Sequence, residues 1–318
     1  MTSRVVVVGA GIAGLACARL LIERGLDVRV LERGEVPGGR LASPEVDGRP
    51  VDLGAAYLTV GDPGFGAVVA GWHERGLVRP WTSRFEVYGP SPHPPDTPGP
   101  RRWSAPRGLG SLAADLAAGL PVEYGVAVRD LAGLGAARVV LAMPAPQAAA
   151  VHPPAAAVAG DQDWQPSLAV ALRYPARCWP DFAGAFVNDH PVLVTVCDDG
   201  DRRGDRAPVL VAHTTPGYAR QDAAAEVEAA VREVLRLPSA GTVTAVRRWP
   251  HARPAHPYSS GFASVEGVLL AGDGFGRPRV EAAWRSGRAA GREISGEISG
   301  KISGTESAKR PSIGDAPR

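Results

Sequence analysis

The chain has 318 residues, 35 lysines and arginines against 33 aspartates and glutamates, a formal net charge of +2, and 45% hydrophobic residues. This balance argues against a nucleic-acid or anionic-membrane partner, and no apolar run approaches the roughly 18 residues that a bilayer span requires. Three dispersed cysteines, Cys17, Cys178 and Cys197, make no Cys-x-x-Cys pair, which excludes a redox dithiol and a zinc ribbon, and no metal site is expected.

Val5 to Val8 is an apolar, β-branched run that reads as a strand buried on both faces. Gly9, Gly11 and Gly14 follow at once, suited in turn to a tight exit from the strand, a close approach to a pyrophosphate, and close packing of the next helix. That helix starts at Ile12 and Ala13, where free N–H groups and the helix dipole favour an anion. A second strand, Asp27 to Leu31, ends at Glu32, an acid placed to accept hydrogen bonds from a ribose diol and to repel a 2′-phosphate; Arg33 lies beside it. The context predicts a dinucleotide site, the alternative being a glycine-rich turn that binds nothing. The N-terminus enters the first strand with no signal-like segment, so a cytoplasmic protein is expected.

Beyond Glu32 the loop Gly34 to Leu41 holds Gly38, Gly39 and Arg40, and Val51 to Thr59 reads VDLGAAYLT. Residues Gly64 to Val78 read as a helix ended by Pro80, and Phe85 to Tyr88 as a short strand. Six prolines between Gly89 and Pro100 predict an exposed loop. Arg102 to Ser104 is expected to pair back, a helix to run from Gly108 through Ala118, and strands to form over Val122 to Val128 and Arg138 to Ala142. From Ser167 the pattern alternates, so Leu168 to Tyr174, Gly184 to Asn188, Val192 to Val196, Val209 to His213 and Thr242 to Trp249 suit an antiparallel sheet, interrupted by a helix over Arg220 to Leu237. A last strand from Gly267 leads to Gly272 and Asp273, then a helix from Pro278. Three Ile-Ser-Gly copies and a polar end read as a disordered tail.

The motifs GAGIAG, PGGR, VDLGAAYLT, RRW, VVLAMPAPQ, RRWPHARP and AGDGFGRPRVEAAW, in this order, resemble the bacterial renalase-like branch of the FAD-dependent amine oxidase class over residues 4 to about 293. The resemblance implies an α/β architecture: a Rossmann-type FAD-binding domain (1–83, 104–160 and 254–294) with an inserted antiparallel-sheet, α+β substrate domain (84–103 and 161–253) and a tail (295–318). It implies non-covalent FAD held by Gly9, Gly11, Ile12, Ala13, Gly14, Glu32, Arg33, Gly39, Arg40, Leu41, Gly54, Ala55, Val126, Gly272, Asp273, Arg279 and Val280. Within that set, Arg40 stands near the phosphates and ribityl chain, Asp273 on the ribityl hydroxyls, and the Asp52 segment beside the isoalloxazine.

Renalases oxidise dihydronicotinamide isomers of NAD(P)H and pass the electrons to O2, giving H2O2. The resemblance therefore implies a small-molecule substrate and no catalytic acid or base, since the flavin performs the chemistry; Tyr57, His213 and Trp284 are the expected pocket residues, with a satisfied core histidine and a core tryptophan the alternatives for the last two. The only lysines are Lys301 and Lys309, whereas many amine oxidases place a lysine near flavin N5, so the amine oxidase reading is the weaker one. An amine oxidase, a desaturase, or a non-catalytic FAD-binding protein stay open as alternatives, as does the oligomeric state. Three departures from the family pattern concern the substrate side: Ala56 in place of glutamine, a shortened Asp130 to Ala137 connection, and Asp198-Asp-Gly-Asp-Arg-Arg-Gly204 where a tryptophan and a Lys-Pro-Gly stretch are expected.

Overall fold

The computed structural model describes residues 4–89 and 98–307; residues 90–97 of the proline-rich loop and residues 308–318 lie outside the described residues. The α-helices are α1 (Ile12–Glu23), α2 (Pro63–Glu74), α3 (Gly110–Ala117), α4 (Ala145–Val151), α5 (Ala156–Gln162), α6 (Asp199–Arg203), α7 (Ala224–Leu235) and α8 (Val280–Ser307).

Val5–Val8 lies in the middle of a six-stranded sheet, paired in parallel with Val28–Leu31 on one side and Arg138–Leu141 on the other. Val268–Leu270 and Val122–Glu123 extend the parallel array, and Ala263–Val265 closes one edge in antiparallel register. Both faces are covered, as the unbroken valine run requires. Val5 and Val7 pack with Leu15, Leu112 and Ile294, whereas Val6 and Val8 pack with Ala145, Ala148 and Val158 on the other face. The α/β class and the strand–turn–helix at its centre are therefore as expected. The strand expected over Val122 to Val128 is shorter, ending at Glu123, because Gly125 turns the chain at φ 73°.

A second six-stranded sheet runs in the order Thr242–Pro254, Trp164–Arg173, Val209–Thr214, Leu193–Asp198, Gly184–Val187 and Glu86–Tyr88. It is antiparallel except at Glu86–Tyr88, which pairs in parallel with Gly184–Val187. The period-two pattern sorts its faces. Leu168, Val170, Leu172 and Leu210 pack against Val227 and Val231 of α7, while Ala169, Ala171 and Val211 of the opposite face pack on Val51 and Leu53. Small residues on that second face let the sheet settle closely over residues 51–53.

Two boundaries differ from expectation for local reasons. Helix α2 begins at Pro63 because the Asp62 side chain accepts a hydrogen bond from the Phe65 N–H at 2.9 Å; it ends at Glu74, since Gly76 takes φ 70° well before Pro80. The helix α8 runs on to Ser307, not giving way at residue 295. Ile294 is fully buried in the core, which anchors the helix just short of residue 295.

Candidate functional site

The glycine turn is fixed by backbone contacts. A Cβ on Gly9, which has φ 105°, would sit 2.7 Å from the Ala142 carbonyl oxygen, and one on Gly14 would sit 1.9 Å from the Gly9 oxygen. Neither position admits another residue without moving the main chain. Gly11 differs, because its Cβ would meet no heavy atom within 4 Å. It starts α1 in extended geometry, with no acid in the first turn, and the N–H groups around Ile12 and Ala13 have no side-chain cap. Glu32 stands beside them at the end of its strand, its carboxylate accepting from the Ala10 N–H at 2.7 Å and the Gly34 N–H at 2.8 Å. The Val126 N–H donates to the Glu32 carbonyl at 2.9 Å, so that loop borders the acid, and Arg33 is exposed next to it. A helix start offering free donors with room before it, an adjoining acid and a bordering loop fit the pyrophosphate, ribose and adenine of a dinucleotide.

The next segments continue the line. The Gly38 N–H bonds the Ala10 carbonyl at 2.9 Å, carrying the Gly39–Leu41 turn to the glycine loop, and the Ala55 N–H bonds the Arg40 carbonyl at 2.9 Å. A Cβ on Gly54 would lie 2.0 Å from that same Arg40 oxygen, so glycine is required where the two strands of chain touch. Arg40 forms a two-pronged ion pair with Asp273, at 2.9 and 2.5 Å, donates to the Ala252 carbonyl at 3.0 Å, and stacks over Trp164. Gly272, at φ 156°, donates its N–H to Ser286 of α8 at 2.9 Å. Arg279 and Val280 form the start of α8; Arg279 pairs with Glu281 at 2.7 Å, and the buried Glu281 carboxylate also accepts the Asp62 N–H at 3.2 Å. Leu41 is buried core.

The segment Asp52 to Ala56 shows what the sequence did not suggest. Arg202 donates to the Ala56 carbonyl at 3.0 Å and the Asp52 carbonyl at 3.3 Å, Trp249 to that of Leu53 at 2.6 Å, and His213 to that of Gly54 at 2.9 Å. Four carbonyls of one stretch are thus drawn to side chains from the second sheet and α6. Arg202 is wholly buried, bonds Asp199, and lies 3.6 Å from Asp52; Arg203 lies 3.0 Å from Asp52 and 3.1 Å from Asp199. Burial alone would raise the Asp199 carboxyl, but Arg202 and Arg203, with Arg49 at 2.6 Å, hold it below its ordinary range. The Asp198 to Gly204 departure therefore forms an internal ion network. Its signal in the sequence was Asp199 with arginines three and four residues on, a spacing that one helical turn brings together.

The three expected pocket residues sit in three separate settings. His213 is a strut: a carbonyl only accepts, so Nε2 carries the proton it gives to Gly54, and burial followed by the Arg202 charge pushes its pKa down to about 4. Tyr57 is half-buried, edge-on to Phe85 at 5.3 Å and beneath the buried Arg102 guanidinium at 5.0 Å. Trp284 is 7% exposed and packs against Phe65 at 5.6 Å as part of the core under α8, so it is foremost a packing residue.

The His213 strut predicts a pH response. Its folded pKa lies below the ordinary 6.5, so the unfolded chain binds the proton first and stability falls as pH drops from about 6.5 towards 4, by up to about 3 kcal/mol. Urea unfolding at several pH values should show that loss in the wild type and less of it in His213→Gln, which keeps an N–H donor. Equal slopes in both proteins would remove His213 as the titrating group.

A mostly parallel sheet with a glycine turn and an acid at the carboxyl ends of its strands, beside a second, mostly antiparallel sheet, has the layout of a two-sheet dinucleotide-binding fold. The flavin containing amine oxidoreductase family model matches residues 73–295, and an NAD(P)-binding Rossmann-like domain model matches residues 7–70. The chain belongs to the flavin-containing amine oxidoreductase family, and a flavin is the cofactor that this membership implies.

Among curated proteins, the hydroxyneurosporene desaturase of Rubrivivax gelatinosus is 54% identical over 59 residues, 19% of this chain and 11% of that protein. A putative flavin-containing monoamine oxidase of Mycobacterium tuberculosis is 47% identical over 57 residues, 18% of this chain and 13% of that protein. These matches span about a tenth of the relatives' length. Among solved structures, a putative protoporphyrinogen oxidase from Exiguobacterium sp. 255-15 superposes with a TM-score of 0.70 at 15% identity, covering 93% of this chain and 99% of that one. Cyclohexylamine oxidase from Brevibacterium oxydans IH-35A gives 0.70 at 14% identity, covering 94% and 100%. At such identities the likeness is one of fold. No described helix is long and apolar enough to cross a membrane.

Proposed function

We propose that the chain is a renalase-like FAD-dependent oxidase acting on a small, electron-rich substrate of the dihydronicotinamide kind, within a family whose relatives include desaturases and amine oxidases. The observation that carries the reading is the clamped Asp52 to Ala56 segment in a chain with no lysine before residue 301. A rigid wall suits a reaction in which orientation does the work and no protein amine is needed.

In this reading FAD is non-covalent. Gly11, Ile12, Ala13 and Gly14 hold its pyrophosphate, Glu32 the adenosine ribose, and Val126 and Arg33 border the adenine. Arg40 and Asp273 serve the ribityl chain and phosphates, while Gly39, Leu41, Gly54, Ala55 and Gly272 shape the floor, and the α8 start at Arg279 and Val280 faces the ring, where its dipole favours negative charge. When bound, the flavin supplies acceptance of a hydride and return of two electrons to O2, which with protons gives H2O2. The chain's own contribution is to keep Ala56 and Tyr57 in place and to exclude water with the inserted sheet. We assign residues 1–83, 104–160 and 254–294 to cofactor binding and 84–103 and 161–253 to the substrate side, in a cytoplasmic protein whose three thiols stay free.

The test is anaerobic mixing of the purified flavoprotein with NADH isomers carrying the hydride at the wrong ring position. Bleaching of the visible flavin band is expected, with H2O2 formed on readmitting air. Bleaching only by amines, or only by a polyene, moves the assignment to amine oxidase or desaturase, readings that the relatives support. Reduction by none of them leaves a non-catalytic FAD-binding protein. Asp273→Asn should weaken FAD retention, because Arg40 loses one charged partner; a gel-filtered variant with full flavin content would count against the assigned role.

A further inference from the structure

A cavity of about 600 Å³ lies along the outer side of α8 and α2, and its walls are rich in arginine. Arg277, Arg279, Arg285, Arg288 and Arg292 line it, against a single lining acid, Asp62. Of these cations only Arg279 has a close carboxylate, Glu281 at 2.7 Å; Asp62 stands 3.6 Å from Arg285, and Glu23 stands 3.8 Å from Arg288. Arg277 and Arg292 are exposed, and their guanidinium groups have no ion pair or hydrogen bond among the described residues.

Arg285, Arg288 and Arg292 recur at three- and four-residue intervals on α8, so like charges stand one above another on one helix face, an arrangement that weakens a helix in isolation. Asp62 and Glu23 offset Arg285 and Arg288 only at 3.6 and 3.8 Å, and the Arg292 guanidinium has no carboxylate partner among the described residues. Ser259 and Ser260 add hydroxyl donors on the facing loop. The volume falls within the ordinary range for small-molecule sites, roughly 300–1,000 Å³.

We propose that this groove binds a soluble ligand carrying two or more phosphate groups, at a site that touches the assigned cofactor set only at Arg279 and is otherwise lined by residues outside it. Guanidinium forks match phosphate oxygens bidentately. The span decides between one phosphate and several: Arg285 to Arg292 covers about 10 Å of helix axis, farther than the oxygens of one phosphate reach. The groove is concave and bounded by two helices and a loop, which suits a free molecule of nucleotide size over a flat lipid surface.

The test uses the FAD-saturated protein, so that the cradle is filled, and inorganic tripolyphosphate as the probe. Calorimetry should show saturable binding that weakens with salt, and Arg277→Gln/Arg292→Gln should bind at least about tenfold more weakly while keeping its visible flavin band. Arg285→Gln is the second variant and should weaken binding in the same direction. Three results would overturn the proposal: no saturable binding by the wild type, unchanged affinity in both variants, or binding to phosphatidic acid vesicles without any to tripolyphosphate.

Discussion

Replacing Arg202 with methionine is expected to lower the unfolding free energy by about 3–5 kcal/mol, the usual result of leaving buried charges without their partner. The side chain is fully buried, its positive charge helps keep Asp199 ionised, and its forks hold the Asp52 and Ala56 carbonyls. Arg202→Met therefore removes a charge and two backbone hydrogen bonds together. Arg202→Lys separates the two effects, since an ammonium retains the charge but lacks the planar fork. The lysine variant should recover much of the stability while still holding flavin more weakly than the wild type. Denaturant unfolding and equilibrium dialysis against FAD measure the two quantities. A methionine variant within about 1 kcal/mol of the wild type would show that the network is not what fastens the sheet over residues 52–56.

The second large effect is a contrast between neighbouring glycines. Gly14→Ala forces a Cβ to within 1.9 Å of the Gly9 oxygen, so the strand–turn–helix must move and both folding and flavin binding should fail. Gly11→Ala adds a methyl group where no atom lies within 4 Å, so the apoprotein should unfold within about 0.5 kcal/mol of the wild type. The same methyl stands where a pyrophosphate would come against the helix start, and FAD affinity should fall by at least about tenfold, or 1.4 kcal/mol. Normal FAD affinity in Gly11→Ala would place the phosphates elsewhere.

What could be read along the chain was what is decided locally. Four consecutive valines, a glycine turn and an acid ending the next strand are near in sequence and in space, so Gly9, Gly14 and Glu32 occupy the expected places. Alternation in the second half likewise foretold the antiparallel sheet, because each strand's faces are set by its own residues. The ion network was not legible in this way. Asp198 to Gly204 has the composition of an exposed turn, and partners distant in sequence, among them Asp52 and Arg49 some 150 residues earlier, turn those charges inward. Trp284 and His213 were expected in the pocket from the family resemblance, with a core residue as the alternative for each. Their neighbours, Phe65 and the Gly54 carbonyl, come from distant parts of the chain. The helical tail was hidden by its Ser-Gly pairs, which read as flexible although the isoleucines between them keep a helical interval.

The meeting of α1 with α8 bears on how the chain acquires its shape during synthesis. A Cβ on Gly287 would lie 1.9 Å from the Ala13 carbonyl oxygen, and one on Gly291 would lie 2.8 Å from Leu20, so the two helices touch backbone to backbone. Helix α1 thus waits for α8, the last described helix. In the same way Val5–Val8 waits for Arg138–Leu141, and that strand for Val268–Leu270. The inserted sheet has all but one of its strands within residues 164–254 and can form beforehand. A released fragment ending near residue 260 should hold that sheet protected from protease while residues 4–40 stay open to cleavage, and the cofactor is then a ligand that binds after α8 has docked.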